Sequence, residues 1–471
     1  MNTTAALRDL GKRLYPHLPA FAQDALISGY FYFKSRRLYG RTFQERLAWL
    51  HETERYAADA LAEVQRASLA RVIDAAAHAP YYRTLFDRLG IDPSLIRIAS
   101  DLAAFPMLEK ATVRESPTAF VDARRDCRRL PTVFSSGTSG TPMRFHVPSE
   151  LESTEEAFIA RQWGWAGFRP GDRRIRLRGD LVVPAHRTSN APWRVNYADR
   201  ELRMSSYHLS KETAPAYVRR INEFAPRAMI AYPSSAAVLA SFVRELGLTC
   251  SIPLVFTSSE TLSAAQRELI ESALNARVFD HYGSTEAVVA IQECEAGAYH
   301  VLPEYGICEL RPVSSDADAD PEPLCEIVAT GLLNDAMPLI RYRTGDYVRP
   351  AARGGCSCNR AFPVVREIVG RQDDLLRAES GALVGRLDHV FKGLTGIVES
   401  QIIQQRDSSI RVQLVGGRGY DAATERTLRG NLRSRLGNLD IVIDTVHAIP
   451  RGPNGKFRSV VSHLVDTAHC A

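Results

Sequence analysis

Ala228-Met229-Ile230-Ala231-Tyr232 is a short apolar run that ends in Pro233-Ser234-Ser235. A helix is expected next, from roughly Ser235 to Leu246. Ile252-Pro253-Leu254-Val255-Phe256 is a second run, ending in Thr257-Ser258-Ser259-Glu260. Ser263-x-x-Gln266 has the form of a capping box, and the helix it opens carries Leu269, Ile270, Ala273 and Leu274 on one face. Arg277-Val278-Phe279-Asp280-His281-Tyr282 is a third run, ending in Gly283-Ser284-Thr285-Glu286. Strand–helix–strand–helix–strand is the pattern of a parallel sheet, so the fold class is α/β. In such sheets ligands sit outside the carboxyl ends of the strands. Turns of this type favour Ser and Gly as helix caps in any case. Successive ends of small and hydroxylated residues point further, to one shared nucleotide site.

Upstream lies Phe134-Ser135-Ser136-Gly137-Thr138-Ser139-Gly140-Thr141-Pro142, flanked by the strand-like Pro131 to Phe134 and Met143 to Val147. Small side chains and free amides let a chain wrap closely around an anion. A Walker loop needs Gly-Lys-Ser/Thr running into a helix, and neither is present. The stretch alone fits a phosphate-gripping hairpin and an ordinary Gly/Ser surface loop equally well.

Residues 1–126 read as a mainly helical start, with helical apolar spacing from Leu47 to Leu61 and from Leu69 to Ala77. Pro80-Tyr81-Tyr82-Arg83 ends one helix. Tyr30-Phe31-Tyr32-Phe33 precedes Lys34, Arg36 and Arg37, a pattern open to a membrane-surface or partner contact, with aromatic packing on the main domain the favoured reading. Ser149-x-x-Glu152 has the spacing of a capping box for a helix toward Trp163. Ile175 to Arg200 resists assignment and fits either a substrate cleft or irregular surface.

After Val301 the texture turns to short β-type runs, such as Cys325 to Thr330. Pro338-Leu339-Ile340-Arg341-Tyr342-Arg343-Thr344-Gly345-Asp346 ends in a polar turn, whose Asp can serve as a plain turn residue or accept two ribose hydroxyls. Gly370-Arg371-Gln372-Asp373-Asp374 marks a boundary, giving a large domain over 1–372 and a small α+β domain over 373–471. In the latter, Gln401 to Ile403, Ile410 to Val415 and Ile441 to Ile443 read as strands and Ala422 to Leu436 as a helix. Asn454-Gly455 signals a tight turn beside Lys456, which taken alone is a solvated lysine.

The chain has 471 residues, is 45% hydrophobic and 24% charged, and carries a formal net charge of +5. That composition fits a globular protein with a sizeable core. It offers no clustered basic tract with interleaved aromatics, so nucleic acid is not an expected partner. No signal peptide or transmembrane segment is evident, and a cytoplasmic location is expected. Eight cysteines without an export signal suggest thiols or metal ligands rather than disulfides. Cys294-x5-His300 and Cys356-x-Cys358 are the paired ligand types. By spacing alone, three unrelated thiols and an unrelated imidazole are the favoured reading, because Cys-x-Cys is tighter than the usual zinc gap.

The order of these pieces is specific: Ser135 to Pro142, then Tyr282 to Glu286, Tyr342 to Asp346, Gly370 to Asp374 and Pro453-Asn454-Gly455-Lys456. It resembles the adenylate-forming superfamily of acyl-CoA synthetases, adenylation domains and luciferases. Within it, the helical start, His78 to Arg83, Tyr232-Pro233-Ser234 and the pattern around Gln401 to Gln404 are similar to the phenylacetate–CoA ligase group, and to its CapK-type branch above all. The resemblance spans nearly the whole chain. It implies a large adenylation domain, with parallel βαβ units and a β-rich part, and a small mobile C-terminal domain. It implies ATP- and Mg²⁺-dependent conversion of a small-molecule carboxylic acid to an acyl-adenylate. Transfer would follow to a thiol, on coenzyme A or a carrier protein, or alternatively to an amine or hydroxyl such as that of a sugar.

The same resemblance assigns roles. Ser135, Ser136, Gly137, Thr138, Ser139, Gly140 and Thr141 would grip the β- and γ-phosphates. Thr285 would bond the α-phosphate, beside Gly283 and Ser284, and Glu286 would hold Mg²⁺. Tyr282 would stack on adenine, with Ser259 and Glu260 as another wall. Asp346 would hold the ribose hydroxyls and Arg371 ribose or phosphate. Lys456 would bridge carboxylate and α-phosphate, where charge accumulates in the transition state. Asp373 matches the hinge position. Tyr232, Pro233 and the Arg-rich Ile175 to Arg203 stretch would line the acid pocket. Some phenylacetate–CoA ligase relatives carry a structural zinc with such ligands, which implies Zn²⁺ on Cys294, His300, Cys356 and Cys358. Two departures stand out: Met143 and Arg144 replace the usual basic residue after the loop, and a common Gly-Gly-Glu turn is Ser258-Ser259-Glu260 here. A monomer or homodimer is expected. A non-catalytic nucleotide-binding homologue is the competing reading from another class, and Lys456, Glu286 and Asp346 together speak against it.

Overall fold

A computed structural model describes residues 15–135, 143–180, 182–183, 191–313, 323–351, 355–371, 376–379, 383–384, 387–391, 394, 396–451 and 457–464. The predicted loop residues Ser136, Gly137, Thr138, Ser139, Gly140 and Thr141, the hinge Asp373 and Lys456 lie outside them. The chain is of mixed α/β class and divides into two compact units. One comprises residues 1–37, 168–278 and 373–471; the other comprises 38–167 and 279–372.

The strands in chain order are β1 (Thr132–Phe134), β2 (Arg144–His146), β3 (Arg174–Arg178), β4 (Trp193–Asn196), β5 (Glu201–Ser205), β6 (Ala228–Ala231) and β7 (Leu254–Ser258). There follow β8 (Arg277–Gly283), β9 (Ala290–Glu293), β10 (Tyr299–Val301), β11 (Gly306–Pro312), β12 (Cys325–Gly331), β13 (Tyr342–Pro350) and β14 (Val364–Arg371). The last are β15 (Leu376–Arg377), β16 (Leu383–Val384), β17 (Ile397–Gln404), β18 (Ile410–Gly416), β19 (Ile441–Thr445) and β20 (Val460–Ser462).

In the first unit the strand order is β7-β6-β3-β5-β4. β3 runs parallel to both β5 and β6, β6 runs parallel to β7, and β4 alone is antiparallel. The stretch 175–200, unassignable from sequence, supplies most of β3 and all of β4. Its alternation is strand-like, Ile175 and Leu177 buried between half-exposed arginines. The helix Pro233–Glu245 starts with Pro at its first turn, where a missing N–H costs nothing. The Ser263/Gln266 capping box forms, with reciprocal bonds of 3.1 Å. Ile175, Leu177, Met229 and Val255 pack with Tyr217, Leu239 and Ile270 in one apolar core.

The C-terminal part is α+β, a four-stranded sheet of order β19-β18-β17-β20 with the helix Ala422–Leu436. Leu428, Leu432 and Leu436 recur every fourth residue and are fully buried beside Ile402, Val412 and Leu414. Each such leucine contributes roughly 1.5–3 kcal/mol by leaving water.

The second unit holds an antiparallel series, β11-β12-β13-β14-β10-β9-β8, and the hairpin β1–β2. Arg161 and Glu304 form a fully buried ion pair at 2.7 Å, with the Thr53 hydroxyl donating to Glu304 at 2.8 Å. Removing one partner of such a pair strands a buried charge.

Some local expectations are corrected. Leu47 to Leu61 is not one helix, since Arg41–Thr53 and Ala58–His78 are separate. No Gly or Pro marks the break. Tertiary contacts accompany it: Thr53 bonds Glu304, and the Trp165 indole donates to Glu54 at 2.6 Å. The Ser149 box does not form; its hydroxyl donates to the Glu150 carboxylate at 3.0 Å, and Glu150 occupies the N-cap of Leu151–Trp165. Of the aromatic run in the helix Ala20–Leu38, Phe31 lies under the Arg203 guanidinium at 4.6 Å, whereas Tyr30, Tyr32 and Phe33 are exposed. No helix among the described residues is long and apolar enough to cross a membrane.

Candidate functional site

The candidate residues fall on both units, and each set has its own geometry. In the second unit, β13 and β14 pair so that Asp346 stands directly opposite Arg371. The Arg371 guanidinium lies 3.5 Å from one Asp346 oxygen, and the Tyr282 hydroxyl donates to the other at 2.7 Å. Three residues assigned from separate motifs therefore form one cluster. Burial pushes the Asp346 carboxyl up, while Arg371 and Lys110 pull it down. Burial also raises the Tyr282 phenol well above its usual value, and the neighbouring Asp346 raises it further. Gly345, at φ +65°, lets the strand turn there, and Lys110 sits over it.

Gly283 at the end of β8 and Thr285 just past it are exposed, and Glu286 is half-buried. The Tyr342 hydroxyl donates to a Glu286 oxygen at 3.1 Å, so a β13 residue holds the predicted magnesium ligand. The Ser284 hydroxyl is buried with no hydrogen-bond partner among the described residues. The turn is fixed from behind: a Cβ on Gly306 would meet the Val288 carbonyl oxygen at 1.9 Å, so only glycine permits this approach. At the hairpin, the Ser135 amide donates to the Met143 carbonyl and the Ser135 hydroxyl accepts the Met143 amide, both at 2.9 Å. Ser135 thus closes the base of the loop.

In the same unit, Cys294, His300, Cys356 and Cys358 converge, their ligand atoms all within 4.8 Å of one another. Cys294 Sγ is 3.6 Å from Cys356 Sγ, and Cys358 Sγ is 3.2 Å from His300 Nε2. Tetrahedral zinc sets these edges at about 3.8 and 3.5 Å. His300 Nδ1 faces the Phe362 carbonyl at 3.3 Å, leaving Nε2 for the cluster. Burial lowers the His300 pKa and favours the neutral, ligating ring.

In the first unit, Tyr232 follows β6 and is the N-cap of Pro233–Glu245. Ser258 ends β7, and Ser259 takes the left-handed conformation, φ 72°. That is a glycine-like conformation, found where the sequence departs from Gly-Gly-Glu. Glu260 accepts the Ser234 amide at 3.1 Å and the Phe457 amide at 2.6 Å. Burial raises the Glu260 pKa, opposed by these two donors. Phe457 follows Lys456 directly, and the Arg451 guanidinium stands 4.4 Å from its ring.

Motif reading missed Lys110, which no signature marks, and did not single out Arg178 within the Arg-rich stretch Ile175 to Arg203. The signal for Arg178 is its place at the carboxyl end of β3, legible only once Arg174–Arg178 is known to be a parallel strand.

Comparison with known proteins follows the same lines. The family profile described as the CapK C-terminal domain matches residues 375–463. Protein CapK of Staphylococcus aureus is 23% identical over 461 residues, covering 96% of this chain and 99% of that protein. The phenylacetate-coenzyme A ligase of Thermus thermophilus is 28% identical over 316 residues, 63% of this chain and 67% of that one. Among solved structures, 2-hydroxyisobutyryl-CoA ligase in its postadenylation state, in complex with an adenylate, superposes with TM-score 0.66 at 20% identity, over 87% of this chain and 90% of that one. The same enzyme with adenylate and CoA in the thioesterification state gives 0.52 at 21% identity, over 87% and 91%. Fold, motif order and these similarities agree: residues 375–463 match the CapK C-terminal domain, the chain is similar to CapK over nearly its whole length and to phenylacetate-coenzyme A ligases over about two thirds of it, and it shares the fold of 2-hydroxyisobutyryl-CoA ligase.

Proposed function

We propose that the protein is an AMP-forming ligase that converts a carboxylic acid and ATP to an acyl-adenylate and pyrophosphate, then transfers the acyl group to coenzyme A. The observation that carries this reading is the Tyr282–Asp346–Arg371 cluster, at 2.7 and 3.5 Å, built from three motifs distant in sequence. A buried carboxylate, a half-buried phenol and an exposed guanidinium form a donor and acceptor set suited to ribose hydroxyls and phosphate. The Ser284 hydroxyl offers a further donor, its partner missing among the described residues.

In this reading Asp346 accepts the ribose hydroxyls and Arg371 contacts ribose or phosphate. Thr285 bonds the α-phosphate, and the 136–141 loop residues with Ser135 hold the leaving pyrophosphate. Tyr282 and Glu260 flank the adenine, and Tyr232 and Pro233 line the acid pocket. Glu286 would hold Mg²⁺, a hard cation suited to carboxylate and phosphate oxygens; its charge offsets the repulsion between carboxylate and phosphate. Lys456 bridges the two as a compact, mobile charge. Residues 373–471 act as a separate domain turning about Asp373 between the half-reactions. The Cys₃His cluster would hold a structural zinc, with no open position for chemistry.

Pyrophosphate release, scored over a panel of carboxylic acids with and without coenzyme A, tests the reading. Acid-dependent release is expected, with a thioester when coenzyme A is present. Lys456→Ala should lower adenylation roughly 10²–10³-fold while sparing ATP binding. Pyrophosphate exchange in that variant at the wild-type rate would overturn the lysine's role, and release independent of any acid would overturn the whole reading.

A further inference from the structure

β3 carries Arg174, Arg176 and Arg178, all pointing from the same side of the strand. Glu201 serves the first two, at 2.8 and 3.4 Å, and also Arg203 at 2.7 Å. Asp180 pairs with Arg203 at 2.9 Å. Arg178 has no ion pair among the described residues, although it stands half-buried at the carboxyl end of a parallel strand. Its hydrogen bonds both leave from Nη2, to the hydroxyls of Ser258 and Ser259, the second at 3.5 Å. Its guanidinium also faces the Tyr232 ring at 5.1 Å, and its Nε is buried without a partner. The nearby Glu260 is already bound to the Ser234 and Phe457 amides.

A guanidinium withdrawn from water with no contacting counter-ion is costly, unless an anion arrives. Arg178 lies among the ends of β3, β6 and β7, where parallel sheets bind their ligands. It touches Tyr232 and Ser259, two residues assigned to the acid pocket and the nucleotide wall. We infer that Arg178 is a specificity-determining residue that receives a second anionic group of the acid substrate, apart from the carboxylate that is adenylated. The inference rests on the adenylation reading above. It names the substrate class: acids bearing a further carboxylate or an equivalent anion.

The test uses matched pairs of a dicarboxylic acid and its monomethyl ester, from succinate to phthalate, scored by pyrophosphate release with full-length protein. Wild type is expected to favour a diacid at least tenfold in kcat/KM over its ester. Arg178→Met should lower that selectivity ratio roughly 30-fold, as loss of one partner of a desolvated charge pair does. Arg178→Lys should restore part of it. A preference of wild type for esters or simple monoacids would overturn the inference while leaving adenylation intact. An equal loss on both members of each pair, with a lowered Tm, would make Arg178 a positioning residue for the Ser258–Glu260 turn. A rise in the KM for ATP alone would assign the anion to the nucleotide. Pyrophosphate release from none of the acids would sink the adenylation reading, and this inference with it.

Discussion

The Glu260 carboxylate accepts the backbone amide of Phe457 at 2.6 Å, joining the turn after β7 to the residue that directly follows Lys456. Its other oxygen takes the Ser234 amide at 3.1 Å, at the start of Pro233–Glu245. One acidic side chain thus ties a helix N-terminus, where a carboxylate is favoured, to the segment that carries the proposed catalytic lysine. Glu260→Ala should release that segment. Hydrogen bonds to a charged group are worth about 1.5–3 kcal/mol each, so adenylation is expected to slow by roughly 10- to 10²-fold. Thioester formation from a supplied acyl-adenylate should slow far less, because it does not need the lysine. An equal loss in both half-reactions would show that Glu260 acts only as a wall of the nucleotide site.

Asp346 makes a second prediction through its partners. Tyr282→Phe deletes the 2.7 Å bond and leaves a buried carboxylate short of one donor. A rise in the KM for ATP of roughly tenfold is expected. Asp346→Ala removes the proposed ribose acceptor altogether. Wild type should then discriminate against 2′-deoxy-ATP, and the variant should not. Equal discrimination in both proteins would take the ribose contact away from Asp346.

The Cys₃His cluster predicts about one zinc per chain in protein purified without chelator. Cys356→Ser should lower both the zinc content and the Tm, since a structural site contributes to folding directly. Adenylation per folded molecule should change little at moderate temperature. A metal content near zero, with Cys294, Cys356 and Cys358 freely alkylated, would remove the assignment.

Much of this was legible in the sequence because function sits on local signals. The runs from Ala228 to Glu286 announced β6, β7 and β8 with their helices, and the Ser263-x-x-Gln266 box formed as written. The turn at Tyr342 to Asp346 and the boundary strand at Arg371 each read as a motif, but their pairing across β13 and β14 did not. Register is set by the whole antiparallel series rather than by either segment. The stretch 175–200 failed for a related reason: its first strand alternates with arginines, and the charge of Arg176 finds its partner only after folding, on Glu201. The break after Thr53 is likewise invisible locally, since its contacts run to Glu304 and Trp165.

Glu155 carries the last prediction, one about stability. It lies on Leu151–Trp165, half-buried, with the Tyr305 hydroxyl donating to it at 2.5 Å. Burial pushes its carboxyl up to about 7, the Tyr305 bond opposes this, and Glu156 and Glu152 reinforce it. The native state therefore holds the proton more tightly than the unfolded chain, whose Glu titrates near its ordinary value. The sign follows. Below the unfolded pKa both states are protonated, and the favourable burial of the neutral acid is fully present. As pH rises through the interval up to about 7 the unfolded chain ionises first, so stability falls; above that it levels off. A shift of this size corresponds to roughly 3 kcal/mol. Glu155→Gln keeps the shape and cannot ionise. It should gain Tm over wild type at pH 8 and show little difference at pH 4.5. Thermal unfolding of both proteins across that range checks this, and parallel curves for the two would mean that Glu155 titrates alike in the folded and unfolded chain.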